Sequence, residues 1–165
     1  MGQLESPKNL FFYANNLNGH IPISLGNLSN LAYLCLYDNK PFGFIPPEIG
    51  KLSNLVELDI NNNILIGPIP SSVGNLETLT LLHIYIYIYN NQLSGLIPII
   101  LGTLTNQTFL HLYNNNLSGT IPKELGNLKS ITRLQLRKNR LSGNNNIPIS
   151  LGNLRDLEIL FLRDN

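Results

Sequence analysis

Leucines alternate with aromatic and polar residues in short segments along the chain. In the segment LAYLCLYDN, Leu34 and Leu36 alternate with Tyr33, Cys35 and Tyr37. Successive side chains of a β-strand point to opposite faces. This spacing therefore predicts a short strand that buries its leucines and turns the intervening residues outward.

The alternating segment recurs, each time followed by a turn of related sequence. The turns read NNLNGHIP, DNKPFGFIP, NNILIGPIP, NNQLSGLIP, NNNLSGTIP and KNRLSGNNNIP. A leucine closes the LG.L stretch of each repeat, at Leu28, Leu52, Leu76, Leu104, Leu128 and Leu154. Successive members are 24, 24, 28, 24 and 26 residues apart, so the unit has 24 residues with inserts of four and two. One strand per repeat predicts a stacked parallel sheet.

The turn residues have physical roles. An amide side chain after each strand can satisfy backbone groups that the turn leaves open. We interpret this column as structural; it comprises Asn15, Asn39, Asn63, Asn91, Asn115, Asn139 and Asn165. A glycine four residues later suits backbone conformations that are awkward for other residues. The Ile-Pro pair then holds the chain extended, and LG.L predicts a short helical or 3₁₀ turn.

This unit, written L..L.L..N.L.G.IP..LG.L.., falls within the range of roughly 20 to 29 residues of leucine-rich repeats. From Leu10 to Asn165 the chain resembles plant-type leucine-rich repeat proteins. The resemblance implies an α/β-type, right-handed curved leucine-rich repeat solenoid with a parallel concave sheet and short 3₁₀, helical or extended convex segments. It also implies a second strand at the G.IP stretch.

We expect one domain over residues 1–165, with six complete coils and a partial seventh. Irregular coils are expected at 81–95, which holds the four-residue insert, and at 143–148, which holds the two-residue insert. Pro41 and Gln107 occupy leucine positions, which predicts weaker local packing. The paired-cysteine caps of plant relatives are absent, so we expect a piece of a longer array.

The four additional residues of the fourth coil are expected among IYIYIY, in the stretch LLHIYIYIYNN. An even insertion preserves facing, so Ile84, Ile86 and Ile88 are expected to share one face and the tyrosines between them the other. Four residues add about 13 Å of strand that neighbouring coils do not match, so part of the insert should bulge or project. Tandem duplication of Ile-Tyr is favoured over a selected tyrosine platform.

Composition excludes several classes of function. The net charge is +1 and the 11 basic residues are scattered, which argues against nucleic acid binding. Cys35 is the only cysteine, so one chain has no internal disulfide and no cysteine-based zinc site. We see no membrane segment and no secretory signal, and we expect no cofactor.

The outward strand positions form three columns on the predicted concave face. The first comprises Asn9, Tyr33, Glu57, Leu81, Phe109, Arg133 and Ile159. The second comprises Phe11, Cys35, Asp59, His83, His111, Gln135 and Phe161. The third comprises Tyr13, Tyr37, Asn61, one inserted tyrosine, Tyr113, Arg137 and Arg163.

Aromatic side chains on this face are typical of protein interfaces. The candidate ligand-binding residues are Tyr13, Tyr33, Tyr37, Glu57, Asp59, His83, Tyr85, Phe109, His111, Tyr113, Arg133, Gln135 and Arg137. Some plant peptide receptors carry an Arg-x-Arg pair on adjacent outward positions of a strand. Here Arg133 matches the first position, but Gln135 occupies the second. An adjacent His83 and His111 would make binding pH-sensitive.

An enzymatic interpretation of Cys35, Asp59, His83 and His111 as nucleophile, acid and base, or as metal ligands, is disfavoured. Catalytic groups need desolvation and supporting contacts, whereas these residues are expected on an open sheet. We therefore expect no catalytic residues, no metal site and no enzymatic activity.

The resemblance implies a protein or peptide recognition module from the ectodomain of a plant receptor-like kinase or receptor-like protein, acting in signalling or defence. Its partners would be a peptide or protein ligand and a co-receptor ectodomain, at the extracellular face of the plasma membrane. Possible glycosylation sites are Asn27, Asn106 and Asn116. The alternative is a secreted inhibitor resembling polygalacturonase-inhibiting proteins. Ice binding fits less well, because it favours a flat array of small polar side chains.

Overall fold

A seven-stranded parallel sheet forms one side of the chain within the residues that the computed structural model describes, which are 7–76, 84–142 and 147–165. We call it the concave sheet. Its strands are paired in chain order, one from each repeat. They are β1 (Asn9–Phe11), β3 (Tyr33–Cys35), β5 (Glu57–Asp59), β7 (Ile84–Tyr87), β9 (Gln107–His111), β11 (Arg133–Gln135) and β13 (Ile159–Phe161). The predicted solenoid is confirmed.

A second parallel sheet is formed by the turn segments, also in chain order. Its strands are β2 (Asn18–Gly19), β4 (Lys40–Gly43), β6 (Ile64–Gly67), β8 (Gln92–Leu96), β10 (Asn116–Gly119) and β12 (Arg140–Leu141). Most of these strands reach the glycine of the expected G.IP stretch, but none of them includes its Ile-Pro pair. A proline has no N–H for a strand ladder, which explains why the pair is left out.

Six 3₁₀ helices follow the Ile-Pro pairs in the described part of the chain. They are η1 (Ile23–Asn27), η2 (Pro47–Lys51), η3 (Ser71–Asn75), η4 (Ile99–Thr103), η5 (Lys123–Asn127) and η6 (Ile149–Asn153). In η1 the Leu25 N–H donates to the Pro22 carbonyl at 3.1 Å, and the Leu28 N–H donates to the Leu25 carbonyl at 3.1 Å. The predicted turn at LG.L is therefore a short 3₁₀ helix.

The hydrophobic core runs through the repeats between these three layers. Leu34, Leu58, Ile86 and Leu110 occupy equivalent inward positions on successive strands and are each 1% exposed or less. Gln107, which occupies a leucine position, is fully buried, and its Nε2 donates a hydrogen bond to the Phe109 carbonyl.

The asparagine column hydrogen-bonds the coils to one another. The Asn115 side chain shows the pattern: Nδ2 donates to the carbonyls of Ile88, Leu112 and Tyr113, and Oδ1 accepts from the Leu93 N–H at 3.0 Å. The Ile88 carbonyl also accepts from Asn91 Nδ2, at 3.2 Å. Adjacent asparagines thus share an acceptor.

Pro41 is accommodated by a change in this pattern. Four leucines at the equivalent position donate their N–H to the next asparagine, as Leu65 does to Asn91 Oδ1 at 3.0 Å. Proline has no N–H. Asn63 Oδ1 instead accepts from the Asn39 N–H at 3.1 Å, and Pro41 is buried. The substitution therefore leaves no amide oxygen without a donor.

One residue before each asparagine of the column has a positive φ. The set comprises Ala14, Asp38, Asn62, Asn90, Asn114, Lys138 and Asp164, with φ between 51° and 60°. Asn and Asp tolerate this left-handed conformation better than other non-glycine residues. The sequence pattern did not reveal this requirement, although NN and DN pairs are its signature.

The inserted residues of the fourth coil lie before its strand. Nine positions separate Leu76 from Tyr85, whereas five separate Leu52 from the paired residue Glu57. The strand is therefore in frame with its neighbours, apart from a register shift between Ile84 and Tyr85. Residues 77–83 and 143–146, which include parts of both predicted irregular coils, lie outside the described residues.

Candidate binding face

The outward residues of the concave sheet lie in three columns set by strand register. The first column comprises Asn9, Tyr33, Glu57, Tyr85, Phe109, Arg133 and Ile159. The second comprises Phe11, Cys35, Asp59, Tyr87, His111, Gln135 and Phe161. The third comprises Tyr13, Tyr37, Asn61, Tyr89, Tyr113, Arg137 and Arg163, as backbone hydrogen bonds between successive coils show.

The fourth strand corrects our assignment of two residues. Leu81 and His83 were placed beside Phe109 and His111, but the structure pairs Tyr85 and Tyr87 there. The error came from counting forward from Leu76 across the insert. Counting back from Asn91 would have found both tyrosines, because Glu57 stands six residues before Asn63. His83 itself lies outside the described residues.

Tyrosines of the third column stack on their neighbours in two pairs. The ring centroids of Tyr13 and Tyr37 are 4.7 Å apart with an interplanar angle of 4°. Those of Tyr89 and Tyr113 are 4.3 Å apart at 10°. These distances match the spacing of about 4.8 Å between strands, so the sheet itself sets the stacking. Asn61 separates the two pairs. We call this column the tyrosine ladder.

A second aromatic group fills the middle of the face. The rings of Tyr85 and Phe109 are 5.1 Å apart, and those of Tyr87 and His111 are 5.2 Å apart. Burial by these neighbours raises the pKa of Tyr87 to about 12, with Glu57 and Asp59 contributing, so its hydroxyl stays protonated. These aromatic side chains lie at outward positions, so they are not needed to fill the core, and they offer an amphipathic contact surface.

Charge changes sign along the face. Glu57 and Asp59 lie on β5, whereas Arg133 and Arg137 lie on or beside β11. Burial is the main cause that raises the pKa of Asp59 to about 6, while hydrogen bonds from Asn61 favour the ionised form. The Arg133 guanidinium lies 5.1 Å from the Phe109 ring centroid, so it packs on the aromatic group.

Arg137 is held between two aromatic rings. Its guanidinium carbon lies 4.7 Å from the Tyr113 ring centroid and 5.5 Å from that of Phe161. The contact extends the tyrosine ladder by one cationic, planar group. Phe161 and Phe11, at the two ends of the second column, are outward aromatic residues that we did not include among the candidate site residues.

His111 is held in its neutral form. Burial, and then the charge of Arg133, lower its pKa to about 4. Its Nε2 lies 3.3 Å from Gln135 Nε2, so the two groups can share a hydrogen bond. The predicted pH sensitivity from a His83–His111 pair does not follow, because Tyr87 occupies the adjacent position and His111 does not gain a proton near pH 6.

The geometry offers little support for covalent chemistry at the second column. Cys35 is buried, and burial together with Glu57 and Asp59 raises its pKa to about 12, so the thiol stays protonated. Across the described ranges, no group of three or more His, Cys, Asp or Glu side chains could hold a metal ion. No helix in those ranges is long and apolar enough to cross a membrane.

The three possible glycosylation sites lie outside the seven strands of the concave sheet. Asn27 ends η1, Asn106 precedes β9 and Asn116 begins β10. All three residues are exposed.

Comparisons with known proteins agree with this architecture. Residues 11–165 match the family model described as a leucine-rich repeat region. The chain belongs to the leucine-rich repeat family. A search of curated protein sequences gave no match.

Solved structures place this leucine-rich repeat chain near plant receptor ectodomains. The TDR receptor is 32% identical with a TM-score of 0.86, and the match covers 95% of this chain and 26% of that one. The Arabidopsis receptor kinase HAESA, solved with the peptide hormone IDA and the co-receptor SERK1, is 35% identical with a TM-score of 0.83. The match covers 98% of this chain and 27% of that one. A plant ice-binding protein is 29% identical with a TM-score of 0.83, and the match covers 96% of this chain and 49% of that one. The chain thus spans about a quarter of each receptor structure.

Proposed function

We propose that this chain is a non-catalytic recognition module of a plant receptor-like ectodomain, and that its concave face binds an extended peptide or a segment of a partner protein. The tyrosine ladder and its aromatic neighbours carry the proposal. They occupy outward positions, so core packing does not account for them. Tyrosine and arginine are also the residues that contribute most to protein interfaces.

The aromatic face is preorganised for binding. Tyr13 and Tyr37 stack on each other, and so do Tyr89 and Tyr113, so their side chains lose little further freedom when a ligand covers them. Tyr13 still exposes 46% of its surface. A rigid, partly exposed aromatic surface gains more from a partner than a mobile one does.

The charges give the ligand a direction. Glu57 and Asp59 favour basic groups near β5, and Arg133 and Arg137 favour acidic groups near β11. The two strands are three steps apart in the sheet, which is about 14 Å at 4.8 Å per step. An extended peptide covers this distance with four to five residues, at about 3.3 Å each.

Signalling or defence, a co-receptor partner and glycosylation belong to the same proposal. HAESA, which this chain resembles, was solved with both a peptide hormone and a co-receptor. An enzyme inhibitor resembling polygalacturonase-inhibiting proteins remains the alternative, because it would also use outward strand residues. Ice binding is favoured by one structural comparison but not by the side chains, since bulky rings interrupt the flat polar array that it requires.

Selection from a random twelve-residue peptide display library tests the proposal. The enriched peptides are synthesised and their affinities measured by isothermal titration calorimetry. The double variant Tyr37→Ala/Tyr113→Ala should lose at least tenfold in affinity, because it removes one ring from each stacked pair.

The matched control changes two exposed apolar residues, one directly after β4 and one within β6 of the second sheet. Phe44 is 61% exposed and Ile66 is 41% exposed, and neither lies on the concave sheet. Phe44→Ala/Ile66→Ala should leave the affinity unchanged. Equal losses in both double variants, or no loss in the tyrosine variant, would refute the assignment of binding to the concave face.

A further inference from the structure

Asn61 interrupts the tyrosine ladder, because it occupies a column position between two tyrosines. Backbone hydrogen bonds place Tyr37, Asn61 and Tyr89 on three consecutive coils: the Asp38 N–H donates to the Asn61 carbonyl at 3.3 Å, and the Asn62 N–H donates to the Tyr89 carbonyl at 3.1 Å. Tyr37 and Tyr89 are thus two strand spacings apart, about 9.6 Å. No ring contact joins them in the part of the chain that the structure describes.

Two strand spacings leave room for one planar group between the two tyrosine rings, and we call this space the gap. A group midway between the two tyrosines would lie about 4.8 Å from each ring. The stacked pairs on either side have centroid distances of 4.7 and 4.3 Å. A flat group inserted above Asn61 would therefore continue the ladder at its existing spacing.

Asn61, which lies between the two tyrosines in the column, has an unused hydrogen-bond acceptor. Its side chain is 4% exposed, its Nδ2 donates to Asp59 Oδ1, and its own Oδ1 has no hydrogen-bond partner. The amide orientation is fixed by chemistry, because an ionised carboxylate can only accept a hydrogen bond. The carbonyl oxygen therefore faces away from Asp59. A buried acceptor without a donor is unfavourable, and a ligand N–H would satisfy it.

The charges around the gap favour a cation. Asp59 and Glu57 occupy the same strand as the gap, and Asp38 lies directly after Tyr37. The outward positions of β3, β5 and β7 hold no Lys or Arg. A neutral aromatic ligand would fill the space but leave these carboxylates unpaired.

The same column already holds an arginine in this way. The guanidinium of Arg137 lies between the rings of Tyr113 and Phe161, at 4.7 and 5.5 Å from their centroids. A guanidinium is planar, permanently charged and carries five N–H donors. It meets the width, the charge and the hydrogen-bonding requirement of the gap together.

We propose that the gap at Asn61 is a subsite for an arginine side chain of the bound peptide or protein, with the guanidinium between Tyr37 and Tyr89 and one of its N–H groups donating to Asn61 Oδ1. This inference rests on the proposed function and names the residue type that the concave face selects. Asp59 and Glu57 supply the opposing charge, and the tyrosines supply the two flat walls.

Three small probes test the subsite directly: the N-acetyl methylamides of arginine, citrulline and lysine. Citrulline keeps the planar shape without the charge, and lysine keeps the charge without the planar shape. Binding is followed by NMR chemical shifts of ¹³C-labelled tyrosines. We expect the arginine probe to bind at least tenfold more tightly than either of the others. Equal affinity for arginine and citrulline, or tighter binding of lysine, would overturn the proposal.

Variants locate the site. Asn61→Tyr fills the gap with the residue that the column carries elsewhere, so it should abolish arginine binding. Tyr89→Phe keeps the ring and should bind normally, whereas Tyr89→Leu removes the wall and should lose at least fivefold. If Asn61→Tyr does not fold, the comparison of arginine-probe affinity between Tyr89→Leu and Tyr89→Phe tests the subsite instead. Unchanged binding in Tyr89→Leu contradicts the subsite.

The two proposals fail differently. The arginine probe is tested up to a concentration on the order of 50 mM, which detects very weak binding. If library-selected peptides bind the concave face but this probe does not bind, the subsite is wrong and the recognition function stands. If neither binds, both proposals fail. If selected peptides contain arginine and lose affinity when it is replaced by citrulline, both are supported.

Discussion

Coupling between adjacent asparagines of the structural column is the sharpest consequence of the hydrogen bonds between coils. The Ile88 carbonyl accepts only from Asn91 Nδ2, at 3.2 Å, and from Asn115 Nδ2, at 3.1 Å, within the described residues. Asn91→Ala or Asn115→Ala alone leaves it one donor. The double variant leaves it none. We therefore predict that the two substitutions together destabilise the chain by more than the sum of their separate effects.

The expected loss of folding free energy depends on which backbone groups lose their last hydrogen-bond partner. Asn115→Ala removes the acceptor of the Leu93 N–H, and Asn91→Ala removes that of the Leu65 N–H. A buried backbone group without a partner costs about 1–3 kcal/mol, and each remaining lost hydrogen bond about 1 kcal/mol. The two Nδ2 hydrogens of the asparagine account for two further lost hydrogen bonds, so each single variant should lose about 3–5 kcal/mol. The double variant also orphans the Ile88 carbonyl, which adds a coupling energy of about 1–3 kcal/mol.

The assay is a double-mutant cycle by urea unfolding, with circular dichroism as the probe. Asn39 and Asn115 share no acceptor, so Asn39→Ala/Asn115→Ala is the matched control and should be additive within about 0.5 kcal/mol. Additive energies for Asn91 with Asn115 would show that the shared carbonyl does not couple the coils. A coupling energy of equal size between Asn39 and Asn115 would show that the coupling between Asn91 and Asn115 reflects general cooperativity of unfolding and not the shared carbonyl.

Three further substitutions test local features. Gly102→Ala should destabilise by about 1–3 kcal/mol, because an added Cβ would lie 2.3 Å from the Glu124 carbonyl oxygen, whereas Gly152→Ala, with nothing within 4 Å, should change the urea midpoint little. Lys138→Asn should raise stability by about 0.5–1 kcal/mol, since Lys138 has a φ of 54°; an unchanged or lower melting temperature would contradict this. Asp59→Asn tests the pKa that burial raises from 3.8 to about 6. A raised acid pKa means that the folded chain binds the proton more tightly, so stability is lost as pH rises from about 4 to 6. The variant should match the parent at pH 4 and exceed it by about 2–3 kcal/mol at pH 7 in urea titrations, and a gap that does not grow with pH would refute the assignment.

The repeat and the facing of its residues could be predicted because they depend on local periodicity. Leu34 and Leu36 are buried, as the alternation in their segment requires. Ile86 and Ile88 are buried too, so an even insertion did keep the facing. These outcomes follow from side-chain alternation along a strand, which a single repeat is enough to reveal.

Features that depend on contacts between coils could not be predicted in the same way. The sequence shows Asn61 as one polar residue in a column of tyrosines, but not that its Oδ1 lacks a hydrogen-bond partner. It shows Pro41 as a departure, but not that Asn63 takes the Asn39 N–H instead. The glycine of LG.L was left without a role, and the structure supplies one: at Gly102 the next coil passes too close for a side chain.

The position of the insert explains how an irregular coil can still contribute to an ordered face. Because the four extra residues precede the strand, Tyr85, Tyr87 and Tyr89 keep the outward frame of Glu57, Asp59 and Asn61. An insert of odd length within the strand would have exchanged the tyrosines with Ile86 and Ile88, burying three hydroxyl groups and exposing the core. Tandem duplication of Ile-Tyr changes length in steps of two. A duplication of this kind would lengthen the coil and still leave Ile86 and Ile88 facing the core. Tyr89, at the end of the Ile-Tyr run, keeps this outward frame and lies beside Asn61 on the neighbouring coil.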